Sequence, residues 1–178
     1  MNRRTCLSYA CALTLIVGML PALARQGAQP RLPANATILT GANARAVFVQ
    51  CSRSTPGQIN GYWTPAKGDV VALEAALPGF LAAQKLPAAA RGRNLQKDLH
   101  QCAGFVRGGR KWIYVNGFAR RVANDMQGAK LYAGPSKGKR FDWRRDNVDV
   151  CDGGASFWGI EYDVEKHTFS SLQFNGPY

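Results

Sequence analysis

His100 and Cys102 are the residues whose types and spacing come closest to a nucleophile beside a base. On one strand, side chains two positions apart point to the same face, so a thiol and an imidazole there could meet. No third group that would orient the histidine is identifiable in the sequence. We therefore favour a buried, inert thiol at Cys102 and keep a small thiol-dependent envelope enzyme as the alternative.

A pair of carboxylates is the second candidate catalytic site, because Glu161 and Asp163 share one face of a predicted strand. Paired carboxylates cleave glycosides, and Asp152 with Glu161 is a further acid pair for a small hydrolase. Neighbouring acids on an exposed strand are more commonly polar surface. We accordingly predict no catalytic residue and hold the hydrolase as part of the alternative function.

A short glycine loop, Asp152, Gly153 and Gly154, could cradle an anion with successive backbone N–H groups. A phosphate-binding loop would continue with Lys-Ser or Lys-Thr, and this one does not. The favoured interpretation is a turn that needs glycine torsions, with Asp152 bonding to its own backbone.

The segment from Lys137 to Arg145 places five cations and two aromatic residues in nine positions. Interleaved cations and rings suit anionic groups and stacked planes, so this segment is the strongest candidate contact for an anionic partner. The alternative is a solvated loop anchored by one aromatic ring. The candidate binding residues are Lys137, Lys139, Arg140, Trp143, Arg144 and Arg145.

Four further aromatic residues, Tyr62, Trp63, Trp112 and Tyr114, could line a groove for a carbohydrate or a peptide. Packing in the core is the commoner fate of such residues and is the alternative.

Charge indicates the class of partner. The chain carries 23 Lys and Arg against 11 Asp and Glu, a formal charge of +12. Losing residues 1–24 would remove Arg3 and Arg4, leaving 21 minus 11, or +10. Such an excess favours an acidic protein or an anionic envelope component through attraction that salt screens. Nucleic acid is a weaker candidate, since only the Lys137 to Arg145 segment suggests it. No cofactor or metal is predicted, because two histidines without CxxC or HExxH spacing make a poor ligand set.

The amino-terminal residues predict export. Arg3 and Arg4 precede an apolar run from Leu13 to Leu20, and Ala22-Leu23-Ala24 has the small-x-small pattern of a cleavage site. The run is shorter than a bilayer-spanning helix, which needs about 20 apolar residues. We expect residues 1–24 to be a cleaved Sec-type signal peptide, a periplasmic or secreted location, and no stable membrane insertion.

Three cysteines follow the predicted signal peptide, and an oxidising compartment would let two of them pair. Sequence leaves the three possible pairings open. We favour Cys51 with Cys151, because each ends a predicted strand, whereas Cys102 begins a strand whose neighbours look like core.

The elements that position these residues form one α+β domain over residues 41–178, preceded by a flexible arm over residues 25–40. We expect a strand at 45–51, a helix that begins at Thr64-Pro65, a long loop at 119–141 and two hairpins, at 103–118 and 157–175. Pro78 should either kink the helix or begin a second short one. The helix should bury Val70, Leu73, Leu77 and Leu81. This order predicts an antiparallel sheet of hairpins packed against one main helix, similar in outline to cystatin-like or nuclear-transport-factor-like rolls.

Overall fold

The computed structural model describes residues 30–130 and 134–176. The predicted signal peptide, residues 1–24, lies outside the described residues. Within them the chain has an α+β fold, with three α-helices and one open, mostly antiparallel sheet of six strands. The strands are β1 (Ala36–Ile38), β2 (Gly61–Trp63), β3 (Leu99–Arg107), β4 (Arg110–Phe118), β5 (Phe157–Asp163) and β6 (Thr168–Phe174), and the helices are α1 (Gly41–Ala46), α2 (Lys67–Ala82) and α3 (Arg120–Met126).

Both predicted hairpins are confirmed. Gly108 and Gly109 join β3 to β4 with φ angles of 57° and 74°, the positive values that a two-residue turn of the primed type requires. The sheet order is β1-β3-β4-β5-β6, and β2 pairs with the other half of the edge of β3 that β1 occupies. Strands β3, β4 and β5 are therefore central, which matches their large side chains on both faces.

Helix α2 covers one face of the sheet. It buries Val70, Leu73, Leu77 and Leu81, as the sequence periodicity predicts. It begins later than the sequence suggests, at Lys67, where Asp69 accepts a hydrogen bond from the backbone N–H of Ala66 at 2.8 Å. The helix runs through Pro78 as one element, which excludes a second short helix beginning there, one of the two alternatives that the sequence left open.

The opposite face of the sheet is covered by irregular chain. Phe48 from the segment after α1 packs with Phe105, Trp112 and Tyr114 of the sheet. Besides the apolar clusters on the two faces of the sheet, a third apolar cluster lies at the end of the sheet where β4 finishes and β5 starts. It consists of Leu99, Phe118, Ala123, Phe141, Trp143, Val148 and Phe157. This end carries most of the candidate site.

Three predicted segments differ from the structure. The strand predicted at 45–51 is wrong, because α1 occupies 41–46 and Val47 and Phe48 reach the core from a turn. The flexible arm is wrong for residues 36–38, which form β1 beside β3. The loop predicted at 119–141 contains α3, a short helix that buries only Ala123 and so leaves a weak apolar pattern.

The disulfide prediction is confirmed: Cys51 is bonded to Cys151, 100 positions further along the sequence. It ties the segment after α1 to the segment before β5. No α-helix within the described residues combines the length and the apolar character needed to cross a bilayer.

Candidate functional site: a basic loop and an arginine cavity

Residues 137–145, called the basic loop from here on, expose their cationic side chains while the loop itself is packed against the core. Trp143 is only 5% exposed and packs edge-on against Phe118, while the Arg144 guanidinium lies 4.5 Å from the Trp143 ring centre. Phe141, at 1% exposed, is buried in the same cluster, so two aromatic rings anchor the loop where the alternative interpretation of the sequence expected Trp143 alone. The exposed cations are Lys137, Lys139, Arg140, Arg144 and Arg145.

Asp146, directly after the basic loop, is the acceptor on which the loop's polar groups converge. Its carboxylate, 1% exposed, accepts hydrogen bonds from the Ser136 hydroxyl, the Asp142 backbone N–H and the Arg145 guanidinium. Burial alone would raise the pKa of Asp146, but the bonds from Arg145 and Ser136 outweigh burial and hold that pKa below its usual value. An ionised Asp146 therefore fixes both ends of the loop.

The sheet and β1 hold the backbone of the same loop. Gln101 on β3 donates from its side-chain amide to the carbonyls of Trp143 and Asp146, each at 2.7 Å. Thr37 on β1 donates from its hydroxyl to the carbonyl of Arg144 at 2.9 Å. Strand β1, absent from the sequence prediction, is thus part of what positions the cations.

A cavity of about 690 Å³ lies at the same end of the sheet. We call it the arginine cavity, and it is lined by Ala89, Arg93, Ala119, Arg121, Gly153, Gly154, Ala155 and Ser156. The Arg121 guanidinium donates to the Ser156 hydroxyl at 2.8 Å, and Arg93 is paired with Asp98 at 2.8 Å. Ser156 precedes Phe157, which shares the third cluster with Phe141 and Trp143 of the basic loop.

The predicted glycine loop contributes two walls of this cavity. Gly153 has a φ of 96° and Gly154 a φ of 53°, so the segment needs glycine torsions as the favoured interpretation holds. The Gly154 backbone N–H donates to the carbonyl of Gly176 at 3.0 Å and is not free for an anion. Asp152 is exposed, and its carbonyl accepts from the Asn175 side chain at 2.9 Å.

The four aromatic candidates do not form one surface. Tyr62 is 56% exposed and stacks on Phe48 at 5.7 Å, and Trp63 is half-buried with its indole N–H shared between two carbonyls. Trp112 is 8% exposed and Tyr114 is fully buried. The predicted aromatic surface is therefore wrong for Trp112 and Tyr114: the guanidinium groups of Arg107 and Arg110 lie over the Trp112 ring, and Phe48 packs against Tyr114.

His100 and Cys102, the candidate base and nucleophile, lie beneath α2. They share one face of β3, as predicted, and because the helix covers that face both are fully buried. The ring nitrogens of His100 are occupied by Glu74 at 2.8 Å and the carbonyl of Leu95 at 3.1 Å. Burial, and then nearby Glu74, raise the pKa of the Cys102 thiol well above its usual value. A buried thiol held in its neutral form is a poor nucleophile.

The carboxylate pair is also buried, where the sequence suggested exposed polar surface. Glu161 and Asp163 are each 1% exposed and pair with Arg107 and Arg110 respectively. Sequence reasoning found the shared face but missed these partners, which lie more than 50 positions away. Asp152 is not among the groups that bond to Glu161 within the described residues. Across the same residues, no three potential ligands come together as a metal site would require.

A buried arginine that the sequence did not single out lies beneath the disulfide segment. Arg53 is 7% exposed and donates to Gln50 at 2.7 Å and to Asn116 at 2.6 Å. Burial lowers the pKa of Arg53. Its Nε and Nη1 atoms and the Thr55 and Tyr114 hydroxyls are closed off from solvent, and both Arg53 and Thr55 lie close to the Tyr114 hydroxyl.

Comparison with models of known protein families, with curated proteins and with solved structures finds no match to this chain. The function must therefore be inferred from the contacts of its own residues.

Proposed function

We propose that the chain is a non-enzymatic binding protein of the periplasm or the medium that docks an acidic protein or another anionic envelope component through the basic loop. The supporting observation is the way in which the loop is held: its cations are exposed while its backbone is tied to β1, β3 and Asp146. A surface ordered before binding loses less conformational entropy when a partner docks.

The charge of this region is not cancelled locally. Five cations in the basic loop, less the carboxylates of Asp142 and Asp146, leave a formal +3. Lys130 is exposed and forms a backbone bridge with Arg140, so it adds a further cation beside the loop. The buried acids Glu161 and Asp163 are committed to Arg107 and Arg110. A positive patch of this kind attracts an anionic surface and raises the rate of encounter at low salt.

Two parts of the proposal rest on the sequence. Export depends on the charged start, the apolar run and the cleavage pattern within residues 1–24. A helix followed by an antiparallel meander is similar in outline to cystatin-like or nuclear-transport-factor-like rolls, and we offer that resemblance as a hypothesis about architecture.

Retention on immobilised poly-L-glutamate tests the proposal with a matched pair of variants. The loop variant changes Lys137, Lys139, Arg140 and Arg144 to Gln. The control variant changes four exposed lysines elsewhere, Lys67, Lys85, Lys97 and Lys166, to Gln. Both lose the same charge. The wild-type protein and the control variant should elute at similar NaCl concentrations, and the loop variant should elute at a clearly lower one. Equal losses in the two variants would reduce the effect to net charge and contradict a defined docking surface.

A further inference from the structure

The arginine cavity contains a cationic group that the protein does not neutralise. Within the described residues Arg121 forms no ion pair, and its one side-chain hydrogen bond goes to the neutral Ser156 hydroxyl. That hydroxyl accepts from Arg121, so its own hydrogen remains available as a donor. A guanidinium beside a hydroxyl donor is suited to a planar carboxylate.

Apart from Arg93, the rest of the lining is small and apolar. Ala89, Ala119 and Ala155, with Gly153 and Gly154, form walls that carry no charged side chain. The volume of about 690 Å³ falls among the cavities that bind small molecules or a few residues of a peptide. Such walls favour a ligand whose carboxylate is attached to an aliphatic or peptide segment.

The charge around the cavity also selects among anions. Arg93 is held by both carboxylate oxygens of Asp98, which in turn accepts from the Trp158 indole N–H at 2.9 Å. The ion pair of Arg93 with Asp98 is neutral overall, so Arg93 adds no net charge to the lining of the cavity. Because Arg93 is neutralised by Asp98, Arg121 is the one cationic side chain of the lining without an ion-pair partner among the described residues. A single unpaired cation matches a monoanion better than a doubly charged phosphate.

We propose that the arginine cavity is a binding site for a carboxylate carried on a short aliphatic or peptide segment, with Arg121 and Ser156 holding the carboxylate and the alanine and glycine residues contacting the chain along one side. This site is separate from the basic loop and does not depend on the function proposed for it.

Titration of the ¹⁵N-labelled protein, followed by amide NMR shifts, tests the site with hexanoate, its neutral analogue hexanamide and inorganic phosphate. Hexanoate should shift the amides of Gly154, Ala155 and Ser156, and hexanamide should not. Arg121→Gln should weaken hexanoate about tenfold or more, since a charge-assisted bond is lost. Arg121 is exposed, so this variant should keep the wild-type unfolding temperature.

A steric pair gives an independent measurement. Ala89 and Ala88 are both exposed in one short 3-10 turn, but only Ala89 lines the cavity. Ala89→Phe should abolish the hexanoate shifts, whereas Ala88→Phe and the basic-loop change Arg144→Gln should leave them unchanged.

Two peptides distinguish the sources of the carboxylate: acetyl-Ala-Ala with a free carboxyl terminus, and acetyl-Ala-Glu with an amidated one. Tighter binding of the first assigns the site to chain ends, and tighter binding of the second assigns it to acidic side chains. Equal shifts with hexanamide, stronger binding of phosphate, or no shifts at these amides with any carboxylate would overturn the proposal.

Discussion

Replacing Asp146 with alanine removes the carboxylate that fixes the basic loop. Asp146 is 1% exposed, and the change leaves the Ser136 hydroxyl and the Asp142 backbone N–H without their acceptor. Ser136 is itself 4% exposed, so water does not readily replace the lost partner. The guanidinium of Arg145 is exposed and can turn to solvent, so we assign it no part of the loss.

The expected loss follows from those two donors. A buried donor left unsatisfied costs about 1–3 kcal/mol. The Ser136 hydroxyl is buried and the Asp142 N–H is only part-buried, so we take about 2 kcal/mol for the first and about 1 kcal/mol for the second, a decrease of about 3 kcal/mol in the free energy of unfolding. Urea unfolding followed by tryptophan fluorescence measures it, because Trp143 lies in the loop. Asp125→Ala is the matched control: it removes the same charge from an exposed position on α3 and should change stability by less than about 0.5 kcal/mol.

The same variant carries a pH signature. The folded state holds the pKa of Asp146 below its usual value, so the ionised form contributes stability that is fully present above the unfolded pKa of about 4. This contribution is lost as pH falls through the lower, folded-state pKa. The stability difference between wild type and Asp146→Ala should therefore be largest near neutral pH and shrink in acid. A difference below about 0.5 kcal/mol, or one that does not change with pH, would refute the role assigned to Asp146.

Three further predictions concern the disulfide, the buried thiol and the packing of the sheet. Replacing Cys51 and Cys151 with serine should lower the free energy of unfolding by on the order of 4 kcal/mol, because the disulfide closes a loop of 100 residues, and urea titration would measure this loss. Cys102 should react with a thiol reagent only after denaturation, so rapid labelling of the native protein would contradict its burial. Gly117→Ala should destabilise the fold by about 3 kcal/mol or more, since a Cβ there would lie 2.1 Å from the ring of Trp158, and an unchanged unfolding temperature would count against that packing.

The elements that could be predicted from sequence are those with local signals. Gly108-Gly109 defines its turn by backbone torsion alone, and Val70 to Leu81 repeat with the helical period. The strand expected at 45–51 failed because Val47 and Phe48 are apolar for a tertiary reason: they cover the far face of the sheet from a turn. Short elements such as β1 lack a pattern long enough to detect.

The candidate site was predictable only in part for the same reason. The cations of the basic loop are contiguous in sequence, so they were found. The arginine cavity was not, because Arg121 meets Ser156 across 35 positions and Arg93 reaches the site from another turn. Likewise the shared face of Glu161 and Asp163 follows from strand geometry, whereas their arginine partners depend on how the hairpins pair.

The most direct test of the central claim is to map where an anionic polymer contacts the folded protein. Adding poly-L-glutamate to ¹⁵N-labelled protein at low salt should shift the amides of residues 137–145 and the indole N–H of Trp143, and these shifts should disappear at high salt. Shifts spread evenly over the exposed lysines, or concentrated away from the basic loop, would contradict it.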